Sequence, residues 1–178
     1  GRVLVLESAA HARRRGAVVL AELAGYASTT DAHHLTAPAP DGSQAARAMR
    51  EALESARATP ADVGYINAHG TGTRLNDDTE LAAIRRVYTE HAHRVPVSST
   101  KSMTGHMLAA GGAVEAAVVT EAINAGSVPP TLNCDAPEDP AMNFVAHEAQ
   151  EHDVEVGVSH SFGFGGHNAV LVLRRWRG

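Results

Sequence analysis

Two runs of alternating apolar residues, Val154 to His160 and Ala169 to Arg174, flank the glycine-rich stretch Ser161-Phe162-Gly163-Phe164-Gly165-Gly166-His167-Asn168. A period of two puts every second side chain on one face of a sheet, and a glycine-rich turn joins antiparallel neighbours. The chain therefore closes on a β-hairpin. Ahead of the hairpin, strand-like and helix-like segments alternate. That order predicts a layered α/β fold in one domain, residues 1–178.

Val3-Leu4-Val5-Leu6 reads as a buried strand, Ser8 to Arg15 as a short helix ending at Gly16, and Val18 to Tyr26 as a second strand. Residues 28–42 read as a loop. Ser43 is the expected N-cap of a helix whose Ala46, Met49, Leu53 and Ala56 share one face, with Thr59-Pro60-Ala61-Asp62 breaking it. Val63 to Ala68 reads as a strand, and Asp77 to Tyr88 as a helix with Asp77, Asp78 and Glu80 in its first turn. Val95 to Ser98 is a strand cut short by Pro96. Thr104 is expected to cap a helix running to about Ala125, ended by Gly126 and Pro129-Pro130. Residues 131–153 read as irregular, with a short extended piece around Phe144-Val145. A strand with no lead-in at Gly1 reads as one piece of a longer protein, split or processed.

Composition excludes several classes. The 178 residues are 44 % hydrophobic, 20 % charged and only 4 % aromatic, an ordinary globular profile with small residues between its layers. A net charge of −5 argues against nucleic acid, whose phosphates need a basic face. The most apolar stretch, Met107 to Ile123, is interrupted by Glu115 and Glu121, so no membrane span is expected. The single cysteine, Cys134, permits no intrachain disulfide and fits a reducing, cytoplasmic compartment. It has no histidine or helix start beside it and reads as inert. His33-His34 and His91-Ala92-His93 lack spaced acidic or cysteine partners, so no metal site is expected. Arg13-Arg14-Arg15 reads as a solvated helix end, with anion docking as the alternative.

Three motifs carry chemistry. His69-Gly70-Thr71-Gly72-Thr73 follows the apolar run Val63 to Ala68, at the strand edge where α/β folds place function. Alone, His69 reads equally as a structural loop histidine. Lys101-Ser102-Met103-Thr104-Gly105-His106 is expected at a helix start, where positive dipole and the nearby ammonium would keep His106 neutral and able to donate a hydrogen bond. Glu115, in the middle of an apolar helix, needs a partner, and Lys101 is the expected one. The Gly163 to Gly166 turn lacks dinucleotide spacing; it is either a bulged turn or a source of free backbone N–H groups for an oxyanion. No cysteine or serine sits in a nucleophile context, so the chain reads as half of an active site.

Taken together, and with Asn67-Ala68, Val128-Pro129-Pro130-Thr131-Leu132-Asn133 and Asp31-Ala32-His33-His34, these motifs resemble in order the C-terminal half of a β-ketoacyl synthase of the elongating type. The resemblance implies the C-terminal half of a thiolase-like layered αβαβα fold, with the nucleophilic cysteine in the absent N-terminal half. It implies decarboxylative Claisen condensation in fatty-acid or polyketide elongation. Its active-site histidines correspond to His69 and His106, its lysine to Lys101 and its helix glutamate to Glu115. Its gating phenylalanine, whose backbone N–H completes the oxyanion hole, corresponds to Phe164, supported by Gly163 and Gly165; Thr71 and Thr73 support the first histidine. The other loop, facing the acyl chain or carrier arm, corresponds to Asp31 through Thr36 and includes His34. The implied partners are the cysteine-bearing half, an acyl carrier protein whose phosphopantetheine carries the substrate, and a second ketosynthase or chain-length factor. No cofactor of the protein's own is implied. The alternatives are a non-catalytic partner of the chain-length-factor kind and a malonyl decarboxylase without the condensing cysteine. Intact His69 and His106 favour a catalytic half.

Overall fold

The computed structural model describes residues 3–178. Its centre is a five-stranded mixed sheet of β1 (Glu22–Thr30), β2 (Val63–Asn67), β3 (Val97–Ser98), β6 (Val156–Gly163) and β7 (His167–Arg174). The strand order is β1-β7-β6-β2-β3. β7 runs antiparallel to both β1 and β6, and β2 lies parallel to both β6 and β3. The expected C-terminal hairpin is β6–β7, with Gly163 opposite His167 and the three residues between forming the turn.

Helices cover both faces. On one side α2 (Ser43–Ser55) and α3 (Arg74–Tyr88) bury Ala46, Met49, Leu53, Leu81, Ile84 and Val87 against Val158, Val170 and Val172. On the other, α5 (Gly111–Ala125) buries Val119 and Ile123 against Tyr65 and Leu173. The alternation of β7 sends Val170 and Val172 to one core and Leu173 to the other. Close approach of α5 to β6 requires Gly157, where a Cβ would stand 2.4 Å from Val119 Cγ1.

Several boundaries differ from expectation. Val3 to Leu6 form no strand: they have no ladder partner among the described residues, and Val3 and Val5 are almost fully exposed. The next strand begins at Glu22 rather than Val18, because Val18 and Leu20 lie outside the sheet, and it continues to Thr30. The short helix α1 (Ala9–Arg14) forms as expected, with Ser8 accepting from the His11 N–H. Ser43 is the first residue of α2 and not its cap; Gly42, in the left-handed region, occupies that place, and the Asp41 carboxylate accepts from Ser43 N–H. α3 starts one turn early, at Arg74, which moves Glu80 out of the first turn and into the core. Residues 131–153 are not wholly irregular, since β5 (Gln150–Glu151) pairs with β4 (Ser127–Val128).

The helix expected from Thr104 to Ala125 is broken. α4 (Lys101–Thr104) is a single turn, Gly105 adopts φ +71°, and α5 begins only at Gly111 after a 3-10 turn over Leu108–Ala110. His106 therefore lies in the break and not in a helical first turn, so the expected dipole argument for its protonation does not apply.

Candidate active site

The strand end of β2 and the break between α4 and α5 bring the two histidines together. Their ring centroids are 5.4 Å apart, edge to face. Both line a cavity of about 350 Å³ with Lys101, Glu115, Gly111, Ser161 and Phe162. A larger hollow of about 590 Å³ opens beyond the 70–72 loop against residues 131–138. The smaller one is the better candidate site, because His69, His106 and the Lys101–Glu115 pair converge only there.

Lys101 Nζ donates to Glu115 Oε1 at 2.5 Å, and both side chains are buried. This is the pair expected from the sequence. It makes a charged floor that is neutral overall, with the ammonium end close enough to act on His69. Burial, then the Lys101 charge, lower the His69 pKa to about 4, so the ring is neutral at physiological pH. His69 Nδ1 is buried without a partner. In a neutral ring the unprotonated nitrogen is placed there at least cost, leaving Nε2 as the N–H donor. His106 is exposed to the cavity, and its Nδ1 accepts from the Leu108 N–H at 3.2 Å, which again assigns the donor to Nε2. The arrangement presents two imidazole N–H donors, suited to a developing enolate or carbonyl oxyanion.

The His69 loop is held by residues the sequence reading did not single out. Glu80, on α3, accepts the His69 N–H on Oε1 and the Gly70 N–H on Oε2, each at 2.9 Å. His160 on β6 donates from Nδ1 to Glu80 Oε1 at 3.0 Å. Burial alone would raise the Glu80 carboxyl; the His160 contact and the backbone donors outweigh it and hold it below the usual carboxylate range. A signal was present: Glu80 lies beside the inward-facing Leu81 and Ile84, and His160 shares the alternation of the buried Val156 and Val158. A polar residue on an inward face needs partners. Gly70 completes the loop at φ +39°, where a Cβ would stand 2.5 Å from Ser99 Cβ; the Ser99 hydroxyl donates to the Gly70 carbonyl at 2.7 Å. Thr71 and Thr73, expected to support the histidine, hydrogen-bond each other at 2.8 Å.

The glycine turn carries two phenylalanines in different surroundings. Phe162, not Phe164, lines the cavity, its centroid 5.7 Å from that of His69. The Phe164 ring is 77 % exposed. The loop after β1 is tied to this turn. Asp31 N–H donates to Gly166 O, its carboxylate accepts from Asn168 and from Ala39 N–H, and Gly165 N–H donates to Leu35 O. His34 Nδ1 accepts from the Thr36 and Ala37 N–H groups, so it too is engaged within its own loop. Gly163 ends β6 as a paired strand residue. Cys134 lines the larger hollow, and burial and then Asp135 raise its pKa, the opposite of an activated thiol. No group of metal-ligating side chains occurs among the described residues, and no described helix is long and apolar enough to cross a membrane.

A five-stranded mixed sheet between helical layers, with one histidine at a strand end and its partner in a helix break beside it, defines a thiolase-like half-fold. Residues 20–135 match the description "Beta-ketoacyl synthase, C-terminal domain", and the chain belongs to that family. Among its relatives, the 3-oxoacyl-acyl-carrier-protein synthase 2 of Rhizobium meliloti (strain 1021) is 49 % identical over 177 residues, 99 % of this chain and 42 % of that protein. Among solved structures, a type II polyketide ketosynthase in complex with its acyl-carrier protein superposes with a TM-score of 0.91 at 40 % identity, covering 96 % of this chain and 42 % of that one. The ishigamide ketosynthase/chain length factor gives 0.90 at 39 % identity, with the same coverage. The chain thus spans about two-fifths of the length of the proteins it matches.

Proposed function

We propose that this chain supplies the histidine and lysine half of a ketosynthase site that joins an acyl thioester to a malonyl unit by decarboxylative Claisen condensation. The acyl group is held as a thioester on a cysteine of an N-terminal segment outside this chain. The malonyl group arrives on the phosphopantetheine of an acyl carrier protein. Loss of carbon dioxide leaves its electron pair as an enolate, whose oxygen accepts hydrogen bonds from His69 and His106 Nε2. The α-carbon attacks the acyl carbonyl, the resulting oxyanion takes a backbone N–H of the Phe164 turn, and collapse expels the cysteine thiolate. Lys101 and Glu115 set the field that keeps His69 neutral and orient the loop between them; they move no proton. The working assembly is a ketosynthase dimer or a heterodimer with a chain-length factor.

The observation that supports this reading is the convergence of two imidazoles on one cavity above a buried Lys–Glu pair. His69→Ala and His106→Ala, made separately in the full-length protein, are expected to slow malonyl decarboxylation by about two to three powers of ten, the usual effect of losing one oxyanion donor. Acyl loading of the cysteine, measured in the same samples, is expected to change far less. Carbon dioxide release at the unmodified rate in either variant refutes the assignment. A full-length protein with no decarboxylation at all belongs instead with the non-catalytic partners.

A further inference from the structure

His160 is a buried titratable residue with no role in the chemistry proposed above, yet it touches both supports of His69. Its side chain has no exposure. Nδ1 lies 3.0 Å from Glu80 Oε1, the same oxygen that accepts the His69 N–H at 2.9 Å. Its ring stacks on Phe162, 5.8 Å between centroids and 18° between planes. Phe162 in turn packs against the His69 ring at 5.7 Å. Nε2 is buried with no partner. A bare lone pair can be left there at less cost than an N–H, which makes Nδ1 the protonated nitrogen and the donor to Glu80.

We infer that His160 is a positioning residue: its Nδ1–H fixes the Glu80 carboxylate, and Glu80 fixes the backbone of His69 and Gly70. A carboxylate with one oxygen shared by two donors and the other taken by Gly70 N–H has a single orientation that satisfies all of them. Remove the His160 donor and Oε1 keeps only the His69 N–H; the carboxylate can then rotate or draw in water, and the loop that carries His69 loses its register. Asn76 Nδ2, at 3.3 Å from Oε2, acts on the other oxygen and cannot replace the lost bond. The chain of contact runs from β6 through α3 to the end of β2, so three separate elements set one imidazole.

The inference rests on the proposed role of His69, and its test separates the two. In the full-length protein, His160→Asn retains an N–H donor toward Glu80, whereas His160→Phe keeps only the stacking surface. His160→Phe is expected to lower kcat for malonyl decarboxylation about 10- to 100-fold with KM little changed, as expected when a reacting group is displaced by up to about 1 Å. His160→Asn is expected to restore kcat to within about threefold. Hydrogen exchange of the His69–Gly70 peptide is expected to accelerate in His160→Phe and not in His160→Asn. Unchanged exchange in a folded His160→Phe, or failure of His160→Asn to restore protection, overturns the inference. If His160→Phe does not fold, neutron diffraction of the unmodified protein decides: a proton on Nε2 and none on Nδ1 overturns it. Loss of the functional reading, shown by an unmodified protein without decarboxylation, leaves the exchange result to decide the positioning role by itself.

Discussion

Acid is expected to destabilise this protein through His69 before it protonates most carboxylates. The imidazole has a pKa of about 4 in the folded chain against about 6.5 in the unfolded one. A base whose folded pKa is depressed favours folding above the unfolded value and loses that contribution as pH falls from about 6.5 toward 4. At pH 5 the unfolded chain is nearly fully protonated at this position and the folded chain only about one-tenth so, a cost of about 2 kcal/mol; at pH 7 the cost is only a few tenths. The group is buried, so solvent does not screen the effect away. His69→Gln removes the titration and serves as the reference. Urea unfolding of the full-length protein at pH 7 and pH 5 should show the unmodified protein losing about 2 kcal/mol more than His69→Gln over that interval. Equal losses, within about 0.5 kcal/mol, would refute the claim that burial and Lys101 hold this ring neutral. The same shift predicts that the acid limb of malonyl decarboxylation attributable to His69 lies near pH 4 and not near pH 6.5.

Lys101→Met should destabilise the protein by about 3–5 kcal/mol by leaving Glu115 buried and unpaired, and Lys101→Met/Glu115→Gln should recover most of it; a double-mutant cycle showing no coupling would contradict the pair. Lys101→Met should also move the His69 acid limb upward, since the ammonium is the second cause of its depression; an unmoved limb argues against that contribution. Gly70→Ala should cost about 2–5 kcal/mol from left-handed strain and contact with Ser99. Ser99→Gly should relieve only the contact, and denaturant midpoints for the single and double variants would check it. Iodoacetamide should not inactivate condensation through Cys134, whose pKa is raised; peptide mapping that ties lost activity to an adduct there would overturn the half-site reading.

Residues whose types are costly to bury or rare at a strand end were legible from the sequence. His69 after an apolar run stood out by its place at a strand edge, Glu115 inside an apolar helix announced a need for a partner, and the Lys101–Glu115 pair followed from charge alone. The hairpin was legible because a period of two survives even where the turn is unusual. What escaped depends on three-dimensional convergence. The break was hidden because the apolar, alanine-rich run continues beyond it; Gly105, at φ +71°, and a 3-10 turn over Leu108–Ala110 separate the two helices. Glu80 and His160 are eighty residues apart and meet only across α3 and β6. The approach of the Phe162 ring to His69 also escaped, since no motif encodes a contact between the end of β6 and the loop after β2. The apolar run Val3 to Leu6 has strand composition, but composition does not supply a neighbour, and none pairs with it among the described residues.

The sheet pairs its earliest strand with its latest. Glu22–Thr30 lies against His167–Arg174, a separation of more than a hundred residues, and β1 sits at the sheet edge with no other strand neighbour among the described residues. During synthesis, α2 can form as soon as it emerges, but the apolar side of β1 has no ladder to join until β7 has left the ribosome. Contacts so distant in sequence slow folding, because loop closure must precede any gain from pairing. Translation that stalls before residue 167 would therefore yield a chain with an open, aggregation-prone strand and a half-covered core, so prompt synthesis of residues 167–174 becomes a condition for recovering this domain in soluble form.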